Sequence, residues 1–504
     1  MENRGDMHKL TLLLLVTYLW CQPAAGEEHG LFEVSDLKLS EPVNDEVIPA
    51  FITNPRQANL IVRQISEDHR RSLKIFSLAS DGRYIDGETG DIQIDNDIIF
   101  MDIGKVRDSS LDYIIFFRRD AAWWLDPVSG KENHLLDIQS VYKNPIKDEL
   151  PNLDVVKDIN GDSLEDILLP GFDGYRLYLQ TSPGVFAEPV LIDVLPRMRA
   201  SSSGNNVRYR YQDRHLVDIN FDQKKDILIW DETVLAAFMQ TEQGSFYSEQ
   251  QAVPIGIELE GAEEMEDRLE REDQSDIQAR TFHKIFDINA DQHPDLITIS
   301  ITSEGVLNKR TTYEFFMGSQ SPTRILNFPN QPNTQIRSDG IQFDAQEKDF
   351  NNDGMTDYVI SSVELGFWKI VNALVRGSIS IDLDFYQLGQ SGYPDRPNIT
   401  HKIKATYDLS SGKHTLSTVL IVDINGDQLV DLLVQDDDAL QVSYGDGSER
   451  LFTRDRQRFE VLMPPIPDLV DTFDLNNDQK MDIILRYQDS DRGLENVVKV
   501  LLAN

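Results

Sequence analysis

The chain of 504 residues contains one cysteine, Cys21, and it lies among the first 26 residues. Once those are removed, no disulfide and no thiol chemistry remains. Long apolar stretches are missing as well. Leu10 to Trp20 runs for eleven residues, too short to cross a bilayer as a helix, and no later stretch reaches 18. Basic residues are few, 48 Lys and Arg against 86 Asp and Glu, for a net charge of −38. That charge opposes binding to nucleic acid or to anionic membranes. Signatures of catalysis are also wanting. The nine His form no His-Glu-x-x-His, and there is no Gly-x-Ser-x-Gly and no phosphate-binding Gly loop.

The first 26 residues have the makings of a signal peptide. His8-Lys9 precedes the apolar run, and Ala24-Ala25-Gly26 follows it, which predicts cleavage after Gly26 and export to the periplasm or the extracellular space. Lipid attachment at Cys21 is a minor alternative; Trp20 stands directly before it, where lipidation favours a small residue. The mature chain is expected to be a soluble monomer with no transmembrane helix.

What the chain does have is a ninefold spacing that returns six times: Asp, apolar, Asn, any residue, Asp, three variable residues, Asp. At positions 1, 3, 5, 7 and 9 the first copy carries Asp158, Asn160, Asp162, Leu164 and Asp166, and the second Asp218, Asn220, Asp222, Lys224 and Asp226. The third carries Asp287, Asn289, Asp291, His293 and Asp295, and the fourth Asp349, Asn351, Asp353, Met355 and Asp357. The fifth carries Asp423, Asn425, Asp427, Leu429 and Asp431, and the sixth Asp474, Asn476, Asp478, Lys480 and Asp482. Calcium takes six to eight oxygen ligands in flexible geometry, whereas magnesium demands a smaller, near-octahedral site. A tight loop turns positions 1, 3 and 5 toward one point, position 9 closes the cage, and position 7 offers its backbone carbonyl, which leaves its side chain free to vary. Up to six Ca2+ sites are therefore expected. Position 4 needs a left-handed backbone, which Gly161, Gly426, Asn352 and Asn477 suit. Phe221 and Ala290 suit it less, so loops 218–226 and 287–295 are expected to be the weakest.

Successive first aspartates lie 51 to 74 residues apart, the period of a repeat architecture. Each loop leads into an apolar, β-favouring run, such as Ile227-Leu228-Ile229-Trp230, and alternating stretches and turns follow. One small four-stranded antiparallel sheet per repeat, arranged around an axis, is a β-propeller. A degenerate seventh loop at Asp102-Ile-Gly104, with Asp108 and Asp112 displaced, keeps the period with its metal site lost or altered. The expectation is an all-β, seven-bladed propeller over residues 51–504, with 27–50 as an N-terminal extension and eight blades as the runner-up. Asn59–Ile65 and Ser72–Ala79 are strand-like and are expected to complete the last blade, closing the ring and removing an open edge. Two insertions break the period: an acidic stretch at 258–276 and a stretch of helical spacing at 364–376.

The six loops, each entering an Ile/Leu-rich strand, resemble FG-GAP or VCBS repeats, which build the integrin α-subunit head and many bacterial secreted propellers. The resemblance covers residues from about 98 to 504, although the Phe-Gly…Gly-Ala-Pro signature itself is poorly preserved. It implies calcium on the propeller rim, held by the residues named above. It also implies an extracytoplasmic protein or glycan as partner. The expected function is a secreted calcium-binding module for binding or scaffolding, with calcium structural and no catalytic residues. The alternative is a carbohydrate-active enzyme, such as a polysaccharide lyase, using a propeller face with clustered Arg, Lys, His and Tyr. Trp123-Trp124 and Tyr209-Arg-Tyr211 are aromatic-rich spots that suit such a face, with core or rim packing the plainer reading. His215 and His283 are expected to be satisfied structural histidines.

Overall fold

The computed structural model describes residues 30–504 except 44, 108–109, 128, 147–148, 197–198, 204–205, 211–212, 233, 262–275, 304, 306–308, 340, 364–377, 408–413, 449 and 488–492. Residues 1–26, expected to be a signal peptide, the stretch 364–376, expected to be helical, and most of the acidic stretch 258–276 fall outside these residues.

Among the described residues, eight antiparallel sheets of four or five strands follow one another, with three two-stranded ones besides. Blade 1 is Ile48–Ala50, Asn59–Ile65, Arg71–Leu78 and Tyr84–Ile94. Blade 2 is Phe100–Gly104, Tyr113–Phe117, Ala121–Asp126 and Lys131–Asp137. Blade 3 is Val156–Lys157, Asp166–Pro170, Tyr175–Tyr178 and Val190–Ile192, and blade 4 is Arg214–Val217, Asp226–Trp230, Leu235–Phe238 and Gln251–Val253. Blade 5 is Gln278–Phe286, Asp295–Ser303, Lys309–Phe316 and Thr334–Asp339. Blade 6 is Ile341–Lys348, Asp357–Val363, Ser378–Tyr386 and Ile399–Tyr407, with His414–Leu416 as a fifth strand. Blade 7 is Val419–Val422, Asp431–Gln435, Ala439–Ser443 and Gln457–Glu460. Blade 8 takes Val470–Phe473, Asp482–Arg486 and Val497–Ala503 from the C-terminus. Its outer strand, Phe32–Lys38, comes from the N-terminus.

The molecule is thus an all-β propeller of eight blades, not seven. Its helical content among the described residues is one 3-10 turn at Pro467–Leu469. The extra blade is blade 1, which has no acidic loop to announce it. Asn59–Ile65 and Arg71–Leu78 do not complete the last blade; they pair with each other, from Leu60 opposite Phe76 to Ile65 opposite Arg71. The reason lies in their burial. Asn59–Ile65 is buried at six of its seven positions, so it needs neighbours on both sides and sits inside a sheet. Phe32–Lys38 buries only Phe32, Ser35 and Leu37, which suits an outer strand. It runs antiparallel to the C-terminal strand, from Phe32 opposite Ala503 to Lys38 opposite Val497, so the ring closes by joining the two ends of the chain, as expected, with a different strand. Phe32–Lys38 and Ile48–Ala50 are therefore strands of the propeller.

The core is a ring of inter-blade seams. Eight hydrophobic clusters occur among the described residues, and each joins two neighbouring blades. Leu60, Val62 and Phe76 of blade 1 meet Leu37, Ile484 and Val500 of blade 8. Ile167 and Leu169 of blade 3 pack on Phe100 and Phe117 of blade 2, and Tyr358 and Ile360 of blade 6 pack on Phe315 and Ile336 of blade 5. Central strands such as Asp166–Pro170 and Asp226–Trp230 are apolar on both faces because each faces a neighbouring blade on either side. The first strands of successive blades approach one another, Phe100–Gly104 with Val156–Lys157 and Arg214–Val217 with Gln278–Phe286. These are the inner strands around the axis.

Candidate metal loops and an axial pocket

All six acidic loops join the first strand of a blade to its second, in blades 3 to 8, so they lie on one rim. The ninth residue of each is the first residue of the second strand and is fully buried: Asp166, Asp226, Asp295, Asp357, Asp431 and Asp482. One hydrogen-bond pattern repeats in every loop. The first Asp accepts the N–H of position 6 at 2.7 to 2.9 Å. The Asn accepts the N–H of position 5 at 2.8 to 3.2 Å. The middle Asp accepts the N–H of position 7 at 2.8 to 3.0 Å. These Asx turns wind the loop around its own side chains.

The ninth Asp is a two-armed tie. One oxygen accepts the N–H of position 2 at 2.8 to 3.0 Å. The other accepts an N–H at or just beyond the end of the third strand at 2.7 to 2.9 Å. Burial pushes these carboxyls up to about 7 in Asp166, Asp295, Asp357 and Asp482 and to about 6 in Asp226 and Asp431, against the pull of the two N–H groups. The carboxylates at positions 5 and 1 of the same loop push in the same upward direction.

The donors are all oxygen, as a hard cation requires. Each carboxylate oxygen has two lone pairs, so one hydrogen bond leaves capacity for a metal. Among the described residues, however, no three His, Cys, Asp or Glu side chains stand together as a ready-made metal cluster; the carboxylates are turned onto the loop's own N–H groups. The donor chemistry, three carboxylates and an amide oxygen in each loop, is of the kind a hard divalent cation takes.

Two left-handed positions occur in every loop, one more than the residues suggested. Position 4 has φ of 78° at Gly161, 60° at Phe221 and Ala290, 57° at Asn352, 76° at Gly426 and 56° at Asn477. Position 6 has φ near 70° at Ser163, Gln223, Gln292, Gln428 and Gln479, and 85° at Gly354. Phe221 and Ala290 adopt the common geometry despite their side chains. Phe221 gains a ring contact with His293 of the next loop, 5.1 Å between centroids. Neighbouring rims are also tied directly, by Thr356 N–H to Ile288 O and Met481 N–H to Asp423 O, each 2.8 Å. The position 7 side chains differ: the Lys224 ammonium donates to Thr241 O at 3.4 Å, whereas the His293 ring turns back on its own loop, with Nδ1 3.2 Å from Asp291 Oδ1.

The degenerate loop of blade 2 does something else. Asp102 accepts the N–H groups of Val155 and Val156 in blade 3, at 2.8 and 2.7 Å. Asp112 turns the other way and accepts Phe51 N–H of blade 1 at 2.7 Å. The two carboxylates tie neighbouring blades and do not share a site. Asp108 is outside the described residues.

On the axial side of the ring, residues in and beside the inner strands of blades 3 to 6 line a pocket of about 440 Å³. Lys157, Arg214 and Lys284 line it together with Asp154, Asp213 and Glu347. Lys284 pairs with Glu347 at 2.8 Å, and Lys157 with Asp154 at 3.8 Å. Arg214 donates to Asp154 O at 2.8 Å. Tyr358 donates its hydroxyl to Glu347 at 3.1 Å, and His283 lies 3.7 Å from the same carboxylate. His283 is thus partnered, as expected. His215 is not: it packs edge-on to Phe282 at 5.2 Å, its Nε2 is buried, and that atom has no hydrogen-bond partner among the described residues. Burial holds its imidazole down at about 4, with Lys284 and His283 adding to the effect, so it is neutral at pH 7. No motif marked these residues; they come from four blades. Trp123 and Trp124 lie on blade 2, away from this pocket. Arg118 and Arg107 cover their rings at 5.3 and 5.1 Å. Tyr211 is outside the described residues.

No protein-family model matches the chain, and no curated protein matches it. Solved structures do. A lectin of Agrocybe aegerita that recognises non-reducing terminal N-acetylglucosamine is 14% identical, with 82% of this chain and 92% of that chain covered at a TM-score of 0.35. The biofilm matrix protein Bap1 of V. cholerae is 12% identical, covering 94% and 88% at 0.28. The NanB sialidase of Streptococcus pneumoniae is 10% identical, covering 93% and 70% at 0.27. Likeness at this level carries neither a ligand nor an activity across. No helix among the described residues is long and apolar enough to cross a membrane.

Proposed function

We propose that this chain is an exported propeller of the FG-GAP or VCBS type, stabilised by Ca2+ on its six acidic loops and serving as a binding scaffold for a protein or glycan. The observation that supports it is the sameness of the loops. Six sequences, two of them with Phe221 or Ala290 in a left-handed position, adopt one backbone pattern around the same four oxygen-bearing side chains. Backbone strain of this kind persists where the surroundings over-determine it, and it clusters at ligand sites. Bound in a loop, Ca2+ supplies the positive charge that its three carboxylates lack. The protein's own part is to hold the buried ninth Asp between position 2 and the third strand, so that the loop and the blade share one anchor.

Calorimetric titration with Ca2+, followed by thermal melting in Ca2+ and in chelator, tests this. Uptake of several ions per chain and a lower Tm in chelator are expected, because a ligand held only by the folded state stabilises it. No uptake together with an unchanged Tm would end the calcium reading.

The axial pocket keeps open the alternative of a carbohydrate-active enzyme. A lyase acting on uronates needs a cationic excess to neutralise the substrate carboxylate. The three cations of this pocket are matched by three carboxylates, which favours binding over elimination chemistry. A substrate panel assayed in Ca2+ separates the two: turnover of any acidic polysaccharide would restore the enzyme reading.

A further inference from the structure

We propose that the axial pocket between the inner strands of blades 3 to 6 is a binding site for a short neutral saccharide. This rests on the glycan half of the function proposed above and names the class of ligand and the place.

The first argument is charge. The chain carries 86 acids against 48 bases, yet this pocket is balanced, with Lys157, Arg214 and Lys284 facing Asp154, Asp213 and Glu347. A cation site would need an acidic excess, and an anion site a basic one. Lys284 is held by Glu347 at 2.8 Å, and an anionic ligand would have to compete with that contact. A neutral ligand faces no such cost.

The second argument is hydrogen-bonding capacity. Sugar hydroxyls both donate and accept, so they are matched by a wall that presents donors and acceptors side by side. Lysine has three donors and a carboxylate about four acceptor positions, so each ion pair here has unused capacity. The groups are reachable: the side chains of Lys284, Lys157 and Asp154 are 44%, 60% and 73% exposed.

The third argument is shape. Leu216 and Phe286, both half-buried, contribute a small apolar surface between the charged groups, while Val155 and Ile285 behind them are taken up by the seams between blades. A pyranose ring has an apolar C–H face bordered by hydroxyls, and such a surface complements it. The volume of about 440 Å³ falls within the range of small-molecule sites. Neutral His215 forms one wall and adds no charge.

The experiment is titration of the full chain, in Ca2+, with cello-, malto- and galacto-oligosaccharides and with oligogalacturonates of matched length. Wild type is expected to bind a neutral oligosaccharide about tenfold or more tightly than any uronate. Lys284→Met and Asp213→Ala should each weaken that binding about tenfold, the equivalent of one lost hydrogen bond of about 1.4 kcal/mol. Asp213 is exposed, so its variant keeps the fold even if K284M loses stability; melting curves check both. Preference for uronates overturns the proposal. So does neutral binding that both variants retain, which would leave glycan binding standing but elsewhere. If no saccharide binds while Ca2+ still raises Tm, the pocket proposal falls and the calcium scaffold survives.

Discussion

The carboxylate of Asp482 accepts the backbone N–H of Ala503 at 2.8 Å, twenty-one residues further along the chain. Its other oxygen accepts Leu475 N–H, also at 2.8 Å. Ala503 stands opposite Phe32, the first residue of the closing strand. One buried side chain therefore joins the acidic loop of blade 8 to the strand on which the N-terminus is fastened.

Replacing Asp482 with Ala leaves two buried N–H groups without acceptors. Each such loss costs about 1–3 kcal/mol, so D482A should lower unfolding free energy by roughly 2–6 kcal/mol. Denaturant titration in chelator is the measurement, because it removes any contribution of bound metal. A loss below about 1 kcal/mol would mean that the tie is decorative.

Deleting residues 30–38 removes the outer strand of blade 8. Val497–Ala503 would then present an unpaired edge, and Phe32 and Leu37 would leave the seams they fill with Phe459, Leu60 and Val500. Exposed edges pair with other chains. The truncated protein should aggregate at concentrations where the full chain stays monodisperse by light scattering.

Much of this fold can be read from the residues because the acidic loop is a punctuation mark. It fixes the end of one strand and the start of the next, and it recurs in six of the eight blades. Blade 1 has no such mark. Its first strand, Ile48–Ala50, is three residues long, so only the burial of Asn59–Ile65 on both faces identifies it as interior. The ring-closing strand is equally quiet: Phe32–Lys38 alternates weakly, and nothing local says that its partner lies more than 450 residues away. For the site, side-chain order identified the loops, and Asp102 kept its place while changing its partners. The left-handed backbone at position 6 was invisible, since Ser163 and the four Gln residues there carry no conformational signature. The axial pocket was illegible for a different reason. Its charged groups come from four separate strands, and only closure of the ring brings them together.

Ala290 holds φ at 60°, a conformation that costs an L-residue roughly 1–2 kcal/mol and glycine almost nothing. Glycine gives back roughly 0.5–1 kcal/mol in unfolded-state entropy. Ala290→Gly should therefore stabilise the protein by about 0.5–1 kcal/mol, read as a higher midpoint in denaturant. The change adds no atom and removes only a Cβ on the loop surface. A destabilised A290G would show that the methyl group packs more usefully than its backbone strain costs.

His215 sets a pH dependence whose sign follows from burial. Its imidazole is held at about 4 in the folded state against 6.5 when free, chiefly because protonation would put a charge in a desolvated place. Asp213 favours the charged form, while Lys284 and His283 oppose it, and Phe282 packs on the ring. Between those two values the unfolded chain binds the proton and the folded chain does not. Stability is thus greatest above about pH 6.5, falls as the pH drops, and levels off below about 4. Each pH unit inside the window is worth at most about 1.4 kcal/mol, so the whole loss from this residue is at most about 3.5 kcal/mol. Other groups titrate in the same range, so the informative quantity is a difference. His215→Phe keeps a ring in the same packing and has no proton to take up. In saturating Ca2+, the wild-type stability should fall relative to H215F as the pH is lowered from 7 to 4.5. Parallel curves would mean that the imidazole finds a partner or reaches solvent when protonated, and that its burial has no energetic consequence.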